Sequence, residues 1–268
     1  MRRKPAVAGY FYPQQKRELR KMIESMVQPD QVKKRARALI SPHAGYIYSG
    51  PVAAAVFASV SLPERFVILG PSHRGIESRL AIMKEGIWET PLGEIRVDTK
   101  LAELIISHSE LITEDNEAHL GEHSLEVQLP FIQFFKSNFS LVPICIAYHA
   151  SFEELEQLGK AIATGIKALA EETMIVASTD MSHYVPQEVA KRKDFLAINE
   201  ILKLEAKGLY EVVTKENISM CGFQPTVSAL VAAKLLGAKR GELVKYQTSG
   251  DVTGDYREVV GYAGLRIF

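Results

Sequence analysis

Phe66-Val-Ile-Leu-Gly-Pro-Ser-His73 is the stretch on which the reading of this chain turns. Four consecutive apolar residues without polar alternation suit a strand buried on both faces, because alternation is needed only where one face meets water. Gly70, Pro71 and Ser72 then break the run, and a histidine follows at once. The same arrangement recurs on either side. Arg37-Ala-Leu-Ile40 leads into Ser41-Pro-His-Ala-Gly-Tyr46, and Met174-Ile-Val-Ala177 leads into Ser178-Thr-Asp-Met-Ser-His-Tyr184. Leu141-Val-Pro-Ile-Cys-Ile146 is a fourth run of this kind. Helical patterns fill the intervals. Gly50 and Pro51 read as the opening of a helix through Phe57. Ser151-Phe-Glu-Glu154 is a capping box ahead of an amphipathic run to about Glu172. Further helices are expected from Gln187 to Leu204 and from Pro225 to Gly237. Leu243–Gln247 and Val259–Ala263 read as closing strands, and Trp88–Gly93 as a hairpin or excursion between Ile82-Met83 and Ile95–Val97. The alternation predicts one three-layer α/β/α domain over residues 1–268, with a central, mostly parallel or mixed sheet.

Composition narrows the function classes. Lys and Arg together number 32, as do Asp and Glu, so no bulk field favours nucleic acid or an anionic membrane surface. The basic stretch Lys33-Lys-Arg-Ala-Arg37 reads as a solvated lead into a strand. No apolar run approaches the ~20 residues that span a bilayer. Met1-Arg-Arg-Lys-Pro5 lacks the apolar segment of a secretory signal. Two cysteines make no disulfide framework. The expectation is a cytoplasmic protein with free thiols.

The chemistry lies in the turns. In open α/β proteins, strand carboxyl ends converge on one crevice, so residues distant in sequence meet there. A single post-strand histidine is more often a satisfied core or surface imidazole, but three in equivalent places point to a shared site. His43 and His73 are the first-choice metal ligands. Cys221, in Ser219-Met-Cys-Gly-Phe-Gln-Pro225, is the third, supplying a charged soft donor in place of the carboxylate of a two-histidine iron(II) triad. That softness raises competition from zinc and copper(I). His183 is either a third nitrogen ligand or an acid–base group. Asp180, three residues before it, either orients its ring or forms an Asx turn or helix cap. His123 either faces the crevice or occupies a helix start capped by Ser124 or Glu122. His119 and His108 read as solvated, His149 as a post-strand histidine of lower rank, and Cys145 as a buried apolar residue.

Six motifs in order, Pro5–Pro13, Pro42–Tyr46, Gly70–His73, Glu122–Glu126, Asp180–Tyr184 and Cys221–Phe223, resemble the Memo family, whose prokaryotic members are called AmmeMemoRadiSam system protein B. The resemblance spans nearly the whole chain. That family in turn is similar to class III LigB-type extradiol dioxygenases, which implies a LigB-like fold and an iron(II) cofactor on His43, His73 and Cys221, with zinc or copper as alternatives. It also implies active-site roles for His183, His123 and Asp180. The enzyme reading is an iron-dependent oxidoreductase acting on a small molecule, functionally linked to a radical-SAM protein. The other reading is a metal- or peptide-binding adaptor, the role described for vertebrate members. Cys221 stands where the dioxygenases carry a glutamate, so their activity does not transfer directly.

Overall fold

The computed structural model describes residues 1–28 and 32–268. Four parallel strands form the centre of its sheet, in the spatial order Ser140–Ile146, Arg65–Pro71, Thr173–Ser178, Ala38–Ser41. These are the four apolar runs, each longer by one to three residues than its aliphatic core. Val259–Ile267 pairs antiparallel with Ala38–Ser41, and Gly241–Thr248 with Val259–Ile267, so the sheet is mixed at that side. Beyond Ser140–Ile146 lie the Ile87–Thr90 and Gly93–Val97 hairpin and the short Arg2–Arg3 strand.

Alternation along each central strand sorts side chains onto two cores. Val67, Leu69, Val142, Ile144, Ile175 and Ala177 enter one, packed by the helices Thr99–Ile106, Phe152–Leu169, Gln187–Leu202, Ala206–Lys215 and Phe223–Leu235. Phe66, Ile68, Leu141, Cys145, Met174 and Val176 enter the other, packed by Lys16–Met26, Tyr46–Ala58 and Leu129–Phe135. Two cores on opposite faces of one sheet make the three-layer α/β/α architecture that the runs predict. The capping box is present: Ser151 Oγ accepts from Glu154 N, and the Glu154 carboxylate accepts from Ser151 N.

One helix starts earlier than expected. It begins at Tyr46, and Pro51 lies inside it. Tertiary contacts override the proline signal here. Tyr46 is buried, its N–H donates to Phe11 O at 2.8 Å, and its hydroxyl donates to Val127 O at 2.6 Å. These bonds fix the chain in helical geometry a turn ahead of Pro51. The Thr99–Ile106 and Ala206–Lys215 helices and the Leu80–Ile82 and Ile112–Glu114 strand pair are additions to the elements read from sequence. No helix among the described residues is long and apolar enough to cross a membrane.

Because the four central strands are parallel, their carboxyl ends lie along one edge. His43, His73 and Asp180 each stand two residues past such an end. Cys221 arrives from the other direction, two residues ahead of the Phe223–Leu235 helix.

Candidate metal centre

His43, His73 and His123 offer ring nitrogens that all lie within 4.8 Å of one another. Ring centroids stand 4.4 Å apart for His73 and His123, 5.1 Å for His43 and His73, and 5.5 Å for His43 and His123. Each imidazole has an identifiable support.

His43 is 2% exposed, and its Nδ1 lies 3.0 Å from Ser178 Oγ. That hydroxyl donates its only proton to Ser124 O at 2.6 Å and accepts from Gln128 Nε2 at 2.7 Å. It therefore accepts from His43, which places the His43 proton on Nδ1 and leaves Nε2 as a lone-pair donor. His73 reaches the same tautomer by another route. Its Nδ1 donates to Glu122 Oε1 at 2.9 Å, while its backbone N–H donates to Glu122 Oε2 at 2.7 Å. His123 follows Glu122 directly, with its Nδ1 3.5 Å from the same Oε1. A single carboxylate, 1% exposed, thus braces the His73 ring and lies beside that of His123.

The backbone explains how Glu122 gets there. A Cβ at Gly70 would fall 2.4 Å from Ser124 Oγ, so only glycine lets the Glu122–Ser124 turn close onto the end of the Arg65–Pro71 strand. Ser124 Oγ then donates to Pro71 O at 3.1 Å. On the other side, Gly222 meets Ser178 O, which an added Cβ would approach to 2.3 Å. This close seat brings Cys221 Sγ to 3.2 Å from His43 Nε2.

The electrostatics keep His43 and His123 neutral. Burial, then the neighbouring histidines, hold the His43 pKa well below its usual value. Burial lowers His123 to about 4, against the pull of Glu122. Burial also opposes ionisation of Glu122, but hydrogen bonds from His73 and the nearby imidazoles outweigh it and bring its pKa to about 2. The Cys221 thiol is pushed up by burial and by the Asp180 carboxyl, so it holds its proton in the metal-free protein.

The remaining expected site residues fall into place around this cluster. Asp180 Oδ1 accepts from His43 N at 2.8 Å, so its contact is with His43 rather than with the His183 ring. Burial raises the Asp180 pKa to about 6. The His183 ring is held instead by Ser219, with Nδ1 2.8 Å from Ser219 O. His183 is partly exposed at the edge of the cluster, and it is one of the neighbouring histidines that lower the His43 pKa. His108 and His149 are exposed. His119, expected in solvent, is fully buried against Trp88, and burial lowers its pKa to about 4. Its Nδ1 lies 2.9 Å from Asp115 O, and its carbonyl accepts from Arg3 Nε at 2.7 Å. The Arg3 strand folding over this turn is a tertiary event that local polarity does not signal.

Sequence reading assigned no site role to Glu122 beyond a helix cap. It does cap that helix, accepting from Ser124 N at 2.8 Å, and the second role rides on the first. Gln128 and Ser178 carry no such signal: the Leu125–Phe135 stretch holds two glutamines, Gln128 and Gln133, and nothing local separates the one that reaches the site. Glu126, the last residue of the Glu122–Glu126 motif, faces away from solvent. Fully buried, it accepts from Arg3 Nη1, Ala6 N, Val7 N and the Tyr12 hydroxyl. It thereby pins the Pro5–Pro13 segment, whose Phe11 ring packs 4.7 Å from His123.

These motifs coincide with a known family. The family model described as Memo-like protein matches residues 3–266. The chain belongs to the Memo family. MEMO1 family proteins of Methanopyrus kandleri and Aquifex aeolicus are 43% and 41% identical to this Memo chain. The alignments cover 99% of the chain and 98% of the first relative, and 98% of both in the second case. A crystal structure of an uncharacterized protein from Escherichia coli K12 shares the fold at a TM-score of 0.57 and 14% identity, over 85% of this chain and 99% of that one.

The donor chemistry of the Memo site suits a transition metal ion. Bonds of about 2.1 Å place two imidazole nitrogens no more than ~4.2 Å apart. The observed spacing is within small ring rotations of that. Metal-bound histidines characteristically donate their other N–H to a carboxylate or oxygen acceptor, as His73 does to Glu122 and His43 to Ser178.

Proposed function

We propose that this Memo chain binds one divalent first-row metal ion through His43, His73 and His123, with Cys221 as a fourth donor beside His43. The observation that carries the reading is the three-imidazole cluster, with Nε2 of His43 and His73 left free by their Nδ1 partners. Iron(II) is the ion to load first, by the family's similarity to extradiol dioxygenases, with zinc and copper as competitors. When bound, the ion supplies Lewis acidity and, as iron, redox chemistry toward a small-molecule ligand.

The chain's own residues have distinct parts in this proposal. Glu122 and Ser178 fix the ring tautomers and orientations. Asp180 positions His43 through its backbone. The Cys221 proton leaves when the thiolate binds the ion. His183, held at the edge by Ser219, is the group available to carry a proton to or from a ligand.

Metal content after anaerobic reconstitution tests the ligand set. His43→Gln, His73→Gln and His123→Gln are each expected to lose the metal, and Cys221→Ser to weaken its retention. Wild-type metal content in His123→Gln, together with complete loss in Cys221→Ser, would replace this set by His43, His73 and Cys221. Oxygen consumption by the iron(II)-loaded protein then separates redox chemistry from a binding role: metal retained with no reaction favours the adaptor reading.

A further inference from the structure

The cluster is closed on one side and open on the other. His43 is 2% exposed, whereas the side chain of His123 is 20% exposed and that of His73 is 33% exposed. A ligand reaching the imidazoles therefore enters past His73. Arg74 stands at this opening, and it is exposed. Its neighbours His73 and Arg79 are paired with Glu122 and Glu154. Arg74 has no carboxylate partner among the described residues.

The guanidinium rests on the turn that leads into His123. It lies across Gly121, where an added Cβ would meet Arg74 Nε at 2.8 Å, Cδ at 2.9 Å and Cζ at 3.0 Å. Glycine at this position lets the arginine rest on the backbone immediately ahead of Glu122 and His123. Glu122 is committed to His73 and Ser124, so neither it nor any other carboxylate among the described residues pairs with this guanidinium, which is left to take an anion from outside the chain. The guanidinium fork matches a planar carboxylate, donating two parallel hydrogen bonds to its oxygens. Phe11, packed against His123, supplies an apolar wall next to the same opening.

We propose that Arg74 is the recognition residue of this site, and that its ligand is a small organic carboxylate held between the Arg74 guanidinium and the ion on the three imidazoles. The proposal rests on the metal reading above. The carboxylate reaches the site past His73, with one face toward Arg74 and its apolar body against Phe11. Arg74 selects and orients the ligand and takes no part in holding the metal.

The experiment uses the full chain, with cobalt(II) as a visible probe and butyrate as the ligand. Cobalt uptake is measured first, in wild type, Arg74→Gln and Arg74→Lys. Uptake is expected to be as tight in Arg74→Gln as in wild type, or tighter, since a repelling charge is gone. Butyrate is then titrated against the cobalt absorption bands. Arg74→Gln is expected to bind it at least tenfold more weakly, with Arg74→Lys between the two because it keeps charge but not the fork. Gly121→Ala, which displaces the guanidinium without removing it, is expected to weaken butyrate as well.

Equal butyrate affinity in wild type and Arg74→Gln would overturn the assignment of Arg74. Loss of cobalt in Arg74→Gln would overturn it too, by making the arginine part of the metal scaffold. Tighter binding of inorganic phosphate than of butyrate would overturn the carboxylate class. The metal reading fails separately, if wild type takes up no cobalt, and the bridged geometry fails with it. Histidine proton resonances of the metal-free protein then decide Arg74 alone. A butyrate response absent from Arg74→Gln upholds its anion recognition, and identical responses overturn it.

Discussion

Glu122→Gln is the sharpest single perturbation of the centre. The carboxylate accepts from His73 N at 2.7 Å, His73 Nδ1 at 2.9 Å and Ser124 N at 2.8 Å, and it is nearly inaccessible to water. Glutamine has the same shape but one acceptor oxygen. If that oxygen keeps His73 Nδ1 and Ser124 N, the new amide group faces the His73 backbone N–H, donor against donor. One partly buried N–H then loses its partner, at no more than about 1–3 kcal/mol of folding stability, the cost for a fully buried donor. The metal effect is separate. Without the negative charge on its Nδ1 partner, His73 is a weaker base and its ring is less firmly aimed. Loss of such a partner costs roughly 10–100-fold in metal affinity, or ~1.4–2.8 kcal/mol at about 1.4 kcal/mol per tenfold. A chelator competition titration with cobalt(II) reads the second quantity, and urea unfolding of the metal-free protein reads the first. Wild-type metal affinity in a folded Glu122→Gln protein would refute the bracing role and leave Glu122 as a helix cap only.

Four further outcomes are expected. Arg3→Ala strands the Glu126 carboxylate at a site where both partners are 0% exposed, and should cost about 3–5 kcal/mol in urea unfolding; a cost under about 1 kcal/mol would mean that water or another donor replaces the arginine. Metal-free protein treated with dilute peroxide should be oxidised at Cys221 before Cys145, because Cys221 is partly exposed and Cys145 is not, and peptide mass spectrometry showing the reverse order would contradict this. Glu122, with its pKa held at about 2 against an ordinary 4.5, contributes stability that is fully present above about pH 4.5 and disappears as pH falls toward 2; the metal-free Glu122→Gln protein should lose that part of the acid transition, and an unchanged acid profile would count against it. Ser151→Ala removes one half of the capping box and should cost about 0.5–2 kcal/mol in thermal or urea unfolding, with no effect expected on metal content.

The sequence by itself carried the strands and the layers. Phe66–Leu69, Leu141–Ile146 and Met174–Ala177 are legible because a strand buried on both faces needs unbroken apolar residues, a local requirement written in local composition. The turns after them were legible to within a residue or two: the strands run on through Gly70-Pro71 and Ser41 and end there, with Ser72 and Pro42 the first residues beyond. The placing of His43 and His73 near each other followed from strand carboxyl ends sharing one edge, which topology guarantees once the strands are parallel.

Only the tertiary structure decided which donors meet. His123 sits on a short helix rather than past a central strand, and it joins His43 and His73 because Gly70 lets the Glu122–Ser124 turn close onto the sheet. Asp180 is three residues from His183, yet its carboxyl turns to the His43 backbone across the neighbouring strand. His119 lies among polar residues in sequence, yet it is buried because Arg3 and Trp88 close over it. In each case the deciding partner is distant along the chain. Hydrogen-bond geometry and burial depend on distances in space, and a local pattern of residue types constrains those only within a strand, a turn or a helix.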